Sequence, residues 1–177
     1  MPTYIAFLRA INLGAKRKFP KADIIAATEA AGMTDVDTHI NTGNVRLTST
    51  LRSPAKVRAA LEKAYEADRG FAVPTVVFTP EELRAITGRG TELRAVNVEG
   101  ERHYVQLLHE PPSAAAAAAA QDLGHPGEQL IVEGRAAYGL ISSVQNSRTF
   151  AAKEYAALGE GTARTITVLQ AIVAKWC

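Results

Sequence analysis

The residues best equipped for chemistry fall in one stretch, Arg9-Ala10-Ile11-Asn12-Leu13-Gly14-Ala15-Lys16-Arg17-Lys18. An arginine, an asparagine, a glycine and three consecutive cations can together hold a phosphate or carboxylate. The grip would come from charge-assisted hydrogen bonds and backbone amides. Connections of this length between a strand and a helix are uncommon, and ordered ones often bind ligands. The stretch is not a P-loop, because the second glycine and the Lys-Ser/Thr pair are missing. The candidate ligand contacts are therefore Arg9, Asn12, Gly14, Lys16, Arg17 and Lys18. The competing role is a solvated basic loop in which Asn12 makes a local turn bond and Arg9 pairs with a carboxylate at the edge of the core.

Two further groups can carry chemistry. Asn41-Thr42-Gly43-Asn44 combines amides with a glycine, and Asn44 is its candidate binding residue. Asparagine and glycine at a two-residue turn also serve structure alone, since both tolerate positive φ. In a ferredoxin-like sheet this hairpin and the end of the first strand are expected at opposite ends. A site composed of both would then need irregular strands or help from a second domain. The third group is Ser147, Arg148 and Arg164: two arginines able to face an anion across a domain junction, or a helix cap and surface ion pairs.

Metal and catalytic signatures are missing. His103 and His109, six residues apart on an expected strand, stand roughly 20 Å from each other. No HxxxH, CxxC or paired-carboxylate spacing occurs, which disfavours zinc, and there is no Gly-x-Ser-x-Gly elbow. The single cysteine, Cys177, excludes an internal disulfide and, at the terminus, makes a poor nucleophile. No catalytic residue, cofactor or metal is nominated.

The elements that must position these groups follow from periodicity. The apolar run Tyr4 to Leu8 has the pattern of a central strand buried on both faces. Pro20 opens a helix to about Ala31, closed by Gly32. Val36, Thr38 and Ile40 alternate with Asp37 and His39, and Val45 and Leu47 with Arg46 and Thr48, as in a hairpin turning at Thr42-Gly43. Ser53-Pro54 caps a helix striped by Val57, Leu61, Ala64 and Tyr65 to about Asp68. Thr75 to Phe78 is a buried strand, and Thr79-Pro80-Glu81-Glu82 is a capping box opening a short helix through Leu83 and Ile86. This β-α-β-β-α-β order is the split βαβ plan of ferredoxin-like domains.

Residues 88–100, with Gly88, Gly90 and Gly100 among charges, read as a connection. A strand over residues 103–109, an alanine-rich helix at 114–120 and a hairpin about Gly134-Arg135 follow. Then come a helix from Thr149 to Leu158 and a last helix beginning near residues 162–165. That last helix carries Ile166, Leu169, Ile172, Val173 and Trp176 on one face. The expectation is an α+β fold of two small domains: residues 1–87 ferredoxin-like, and residues 101–177 a related β-α-β-β-α-α arrangement.

The segment Tyr4 to Gly14, with Pro20, Gly32, Val36 and Thr42-Gly43-Asn44-Val45, resembles the N-terminal signature of the family called Domain of Unknown Function 1697. That signature combines a Leu-Arg-Gly-Ile-Asn-Val-Gly-Gly stretch with a Ser-Gly-Asn-Val stretch about thirty residues later. Ser147-Arg148 and the run from Thr162 to Val168 resemble its C-terminal pattern. Ala10 and Ala15 stand where the family usually has glycine, Arg148 where lysine is common, and Arg164-Thr165-Ile166 where an Arg-Asn-Trp run is frequent. The resemblance implies two α+β domains and supplies no reaction, cofactor or partner.

Composition bounds the rest. Of 177 residues, 47% are hydrophobic and 21% charged, with a formal net charge of +2. This is a globular balance; the charge falls short of a nucleic-acid-binding signature. No run approaches the roughly 18–20 apolar residues of a membrane span, and the N-terminus shows no signal-peptide pattern. A cytoplasmic protein without membrane contact is expected, as monomer or homodimer. The leading function is a binding module for an anionic small molecule, either a nucleotide or a phosphorylated or carboxylated metabolite. The alternatives are an enzyme with an inter-domain site, a protein-interaction or homodimerisation module, and a single-stranded nucleic-acid binder. The last would stack bases on strand aromatics such as Tyr4, Phe7, Phe78, Tyr104 and Tyr138.

Overall fold

The computed structural model describes residues 1–14, 16–41, 43–96, 100–122, 128–142 and 153–177. Its chain divides into two compact units, Met1–Leu83 with Trp176–Cys177, and Arg84–Lys175. Each is built on a four-stranded antiparallel sheet with helices, an α+β architecture.

In the first unit the order is β1 (Thr3–Leu8), α1 (Lys21–Ala30), β2 (Thr34–His39), β3 (Asn44–Thr48), α2 (Pro54–Arg69) and β4 (Thr75–Phe78). The sheet runs β2-β3-β1-β4, which is the ferredoxin-like arrangement. β1 is central and almost wholly buried, as its unbroken apolar run requires. Tyr4, Ala6 and Leu8 from one face of β1 join Val45 and Leu47 of β3 in the core. Ile24 and Ala27 of α1 and Val57, Leu61 and Tyr65 of α2 close over them. α2 starts where Ser53 Oγ accepts the Lys56 N–H (3.4 Å), with Pro54 at its first position. It ends on Gly70 at φ +71, a left-handed cap.

The β2–β3 connection departs from expectation. β2 stops at His39 and pairs it with Asn44, so four residues of sequence rather than two separate the strands. Ile40, expected to continue the inward alternation, adopts φ +49 and is exposed. β2 also carries a register shift between Thr34 and Asp37, with Asp35 at φ +50. An extra residue of this kind kinks an edge strand and ends its regular pairing.

The capping box at Thr79 forms as read: Glu82 N–H donates to Thr79 Oγ1 (3.1 Å) and Thr79 N–H to Glu82 Oε2 (2.9 Å). The helix it opens, α3 (Pro80–Val96), is 17 residues long and takes up most of the segment read as a connection over 88–100. The glycines were misleading there. A Cβ on Gly90 would come within 2.6 Å of Ile166 Cδ1 and 3.3 Å of Tyr138 Cε1, so this glycine admits close packing rather than breaking the helix.

The second unit continues with β5 (Gly100–Leu108), α4 (Ala114–Asp122), β6 (Glu128–Glu133) and β7 (Ala136–Ser142). A 3₁₀ turn (Lys153–Leu158), β8 (Gly161–Thr165) and α5 (Ile166–Trp176), all but its last residue, complete it. β8 corrects the expected β-α-β-β-α-α order. Residues 161–165 pair antiparallel with β5, giving the sheet β6-β7-β5-β8, the same spatial order as the first. Five residues without alternating apolar character hid this strand. Of the helix expected over 149–158, residues 149–152 lie outside the described residues. Ile166, Leu169, Ile172 and Trp176 of α5 are buried. Among the described residues no helix is long and apolar enough to cross a membrane.

Candidate functional site

The loop leaving β1 is pinned from several directions. The Leu8 N–H donates to Gly43 O (2.7 Å) and the Arg9 N–H to Pro74 O (2.9 Å). Asn12 is its hub. Its N–H donates to Arg17 O (2.7 Å) and its Oδ1 accepts from the Phe19 N–H (3.0 Å). Its Nδ2 donates to Asn41 O (3.1 Å) and, at 3.4 Å, to Phe19 O. One amide side chain thus ties the far end of the loop, at Phe19, to the β2–β3 turn.

This geometry overturns the expectation that the two segments lie at opposite ends of the sheet. β1 and β3 are antiparallel, with Phe7 opposite Asn44, so the end of β1 and the start of β3 are neighbours. The topology alone requires this. Gly43 makes the approach possible: at φ +75, a Cβ there would lie 2.7 Å from Leu8 Cβ and 2.9 Å from Ile11 Cδ1.

The cations divide by role. Arg17 clamps the loop, donating from Nε to Ala10 O (2.7 Å) and from Nη2 to Ala72 O (2.6 Å), with its guanidinium 4.7 Å from the centre of the Phe71 ring. Arg69, stacked 5.0 Å over Phe19, pairs with Asp23 (2.9 Å) and Asp68 (2.6 Å). Arg9, Lys16 and Lys18 are exposed. Asn44 is buried and donates from Nδ2 to His39 O (3.0 Å), closing the hairpin from inside.

Beside the hub lies a cavity of about 420 Å³ lined by Asn12, Gly14, Lys18, Phe19, Pro20, Lys21 and Asn41. It brings together three sequence candidates, Asn12, Gly14 and Lys18, with four residues not named among them. Lys21 and Pro20 could have been found from the helix start. α1 begins after Pro20, which offers no side-chain cap, and the Asp23 carboxylate of its first turn is paired with Arg69 (2.9 Å), so the first backbone N–H groups lack a side-chain acceptor at Pro20. The lining holds two ammonium groups and two amides. Among the described residues it contains no carboxylate, hydroxyl, imidazole or thiol. Such a set can bind and orient an anion.

The remaining candidates stand elsewhere. Arg164 is on β8 of the second unit, where Nη1 donates to Thr162 Oγ1 (2.8 Å) and Ala163 O (2.8 Å). Burial pushes its pKa down to about 10. Ser147 and Arg148 lie outside the described residues. Tyr4, Phe7, Phe78 and Tyr138 are buried, Phe7 and Phe78 edge to face at 6.2 Å, which withdraws them from base stacking. No cluster of three metal-ligating side chains occurs among the described residues.

The profile of the family described as "Protein of unknown function (DUF1697)" matches residues 1–138. Among solved structures, the chain is similar to the conserved bacterial protein SP0830 from Streptococcus pneumoniae. The likeness has a TM-score of 0.76 at 20% identity and covers 98% of this chain and 97% of that one. At that identity the likeness speaks for the fold. No curated protein matches the sequence.

Proposed function

The chain belongs to the DUF1697 family, and on that footing we propose that its first unit is a binding module for a small anionic ligand, such as a phosphorylated or carboxylated metabolite. The observation that carries the reading is the composition of the cavity beside Asn12. Lys18 and Lys21, two amide side chains and an uncapped helix start converge on it without a carboxylate in the lining. Its volume, about 420 Å³, suits a small molecule. Cations supply attraction and the Asn41 amide supplies orientation, while Asn12, its own amide committed to Phe19 and Asn41, fixes the wall. The loop bonds keep the cavity formed before the ligand arrives, which reduces the ordering cost of binding.

The test is a thermal-shift and calorimetric titration with inorganic phosphate, pyrophosphate and citrate, on wild type and on Lys18→Ala/Lys21→Ala. A native-state ligand at a hundredfold excess over its dissociation constant stabilises by about 2.7 kcal/mol. Wild type is expected to show such a shift for at least one anion, weakening with salt because the lysines are solvent-facing. The double variant should lose it. Wild-type titrations flat for all three anions would refute the reading.

A further inference from the structure

We infer that the anion taken by this cleft carries an apolar or aromatic group, as an organic phosphate monoester does. The inference rests on the anion-binding reading of the same cavity and concerns what lies at its rim. Among the described residues the large hydrophobic side chains left exposed are Met1, Leu13, Ile40 and Val96. Met1 is the chain start and Val96 the end of α3. Leu13, 62% exposed, sits between the lining residues Asn12 and Gly14; Ile40, 48% exposed, precedes the lining residue Asn41.

Single exposed hydrophobic residues are ordinary. These two differ in how they are held. Asn12 (φ +55) and Gly14 (φ +66) are both left-handed, so Leu13 stands at the apex of a backbone that the Asn12 bonds lock in place. Ile40 is a β-branched residue held at φ +49, a conformation its type rarely adopts. The bond from Asn12 Nδ2 to Asn41 O (3.1 Å) joins the two turns that carry them. Neither side chain belongs to the core packed beneath the sheet. Neither lines the cavity itself, but each adjoins a lining residue in the chain, and an occupant that extends past Asn12 and Asn41 accounts for both a strained, solvated isoleucine and a solvated leucine. Its anionic head meets Lys18 and Lys21, and its apolar part covers Leu13 and Ile40. The cavity and the rim together prescribe an amphipathic anion of small-molecule size.

The experiment compares inorganic phosphate with phenyl phosphate by calorimetry on the whole chain. It uses wild type, Leu13→Ser and Ile40→Asn, with circular dichroism as the folding control. Asparagine tolerates positive φ, so Ile40→Asn removes the apolar surface without adding strain. Covering one partly exposed aliphatic side chain is worth roughly tenfold in affinity. Wild type is therefore expected to prefer phenyl phosphate by about that factor or more, and the ratio should fall toward one in each variant. Equal affinity for the two phosphates in wild type overturns this inference and leaves the anion site standing. Failure to bind either phosphate overturns this inference, and pyrophosphate and citrate titrations that are flat beside it overturn the anion site as well. A third arm offers vesicles of phosphatidylserine in phosphatidylcholine. Binding to them without a preference for phenyl phosphate would assign the rim to a lipid surface, and would overturn the small-molecule occupant.

Discussion

Replacing Gly43 by alanine tests the packing that holds the candidate site together. Two costs are predicted from the structure. Gly43 lies at φ +75, where an L-residue is destabilised by about 1–2 kcal/mol. The new Cβ would also meet Leu8 Cβ at 2.7 Å and Ile11 Cδ1 at 2.9 Å. The isoleucine methyl can swing aside, but Leu8 Cβ is anchored to the central strand, and overpacking of this kind costs about 1–3 kcal/mol. The sum is about 3 kcal/mol, which lowers Tm by roughly 15 °C in a unit of this size. Gly14→Ala is the matched control. Its φ is +66, yet nothing lies within 4 Å of the new Cβ, so only the backbone cost of about 1 kcal/mol applies. The assay is urea and thermal unfolding followed by fluorescence of the single tryptophan. Trp176 donates from Nε1 to Asp37 Oδ2 (3.0 Å) on β2 and therefore reports on the first unit. The extra loss in Gly43→Ala measures the approach of the turn to β1. Equal losses in the two variants would refute that approach and, with it, the joining of loop and turn into one site.

Two further outcomes are expected. Ala10 is held at φ +57, so Ala10→Gly relieves strain at some cost in chain entropy; a gain of about 0.5–1 kcal/mol in urea unfolding is predicted, and a loss would contradict the loop conformation. Tyr65, buried against Phe19 at 5.3 Å with its hydroxyl 2.8 Å from Thr28 Oγ1, has its pKa raised by burial above the ordinary 10.0. Its folded-state value exceeds the unfolded one, so its contribution is complete below pH 10.0 and is lost as pH rises beyond it. The Trp176-monitored stability of wild type should fall above that pH, and Tyr65→Phe should show a shallower fall. An identical slope in both would exclude Tyr65 as the source.

How far the sequence reached depended on the range of the interactions involved. Periodicity and capping located the elements of the first unit because those signals are local: an apolar run for β1, Ser53-Pro54 for α2, the Thr79–Glu82 box for α3. The same local logic failed at Gly90, where a glycine that ordinarily breaks a helix instead admits Tyr138 and Ile166. It failed again at β8, whose strand character comes from pairing with β5 rather than from its own residues. At the candidate site the sequence singled out the basic loop and the Asn-Gly turn separately. Which cations remain exposed was not legible, because Arg17 is engaged by the carbonyls of Ala10 and Ala72, the latter 55 residues away. Nor was the cavity itself, which exists because antiparallel pairing of β1 and β3 places the loop beside the turn and Asn12 bonds the two. Local chemistry thus determined which residues are able to hold an anion. Long-range strand pairing, which no stretch of sequence encodes by itself, decided which of them meet.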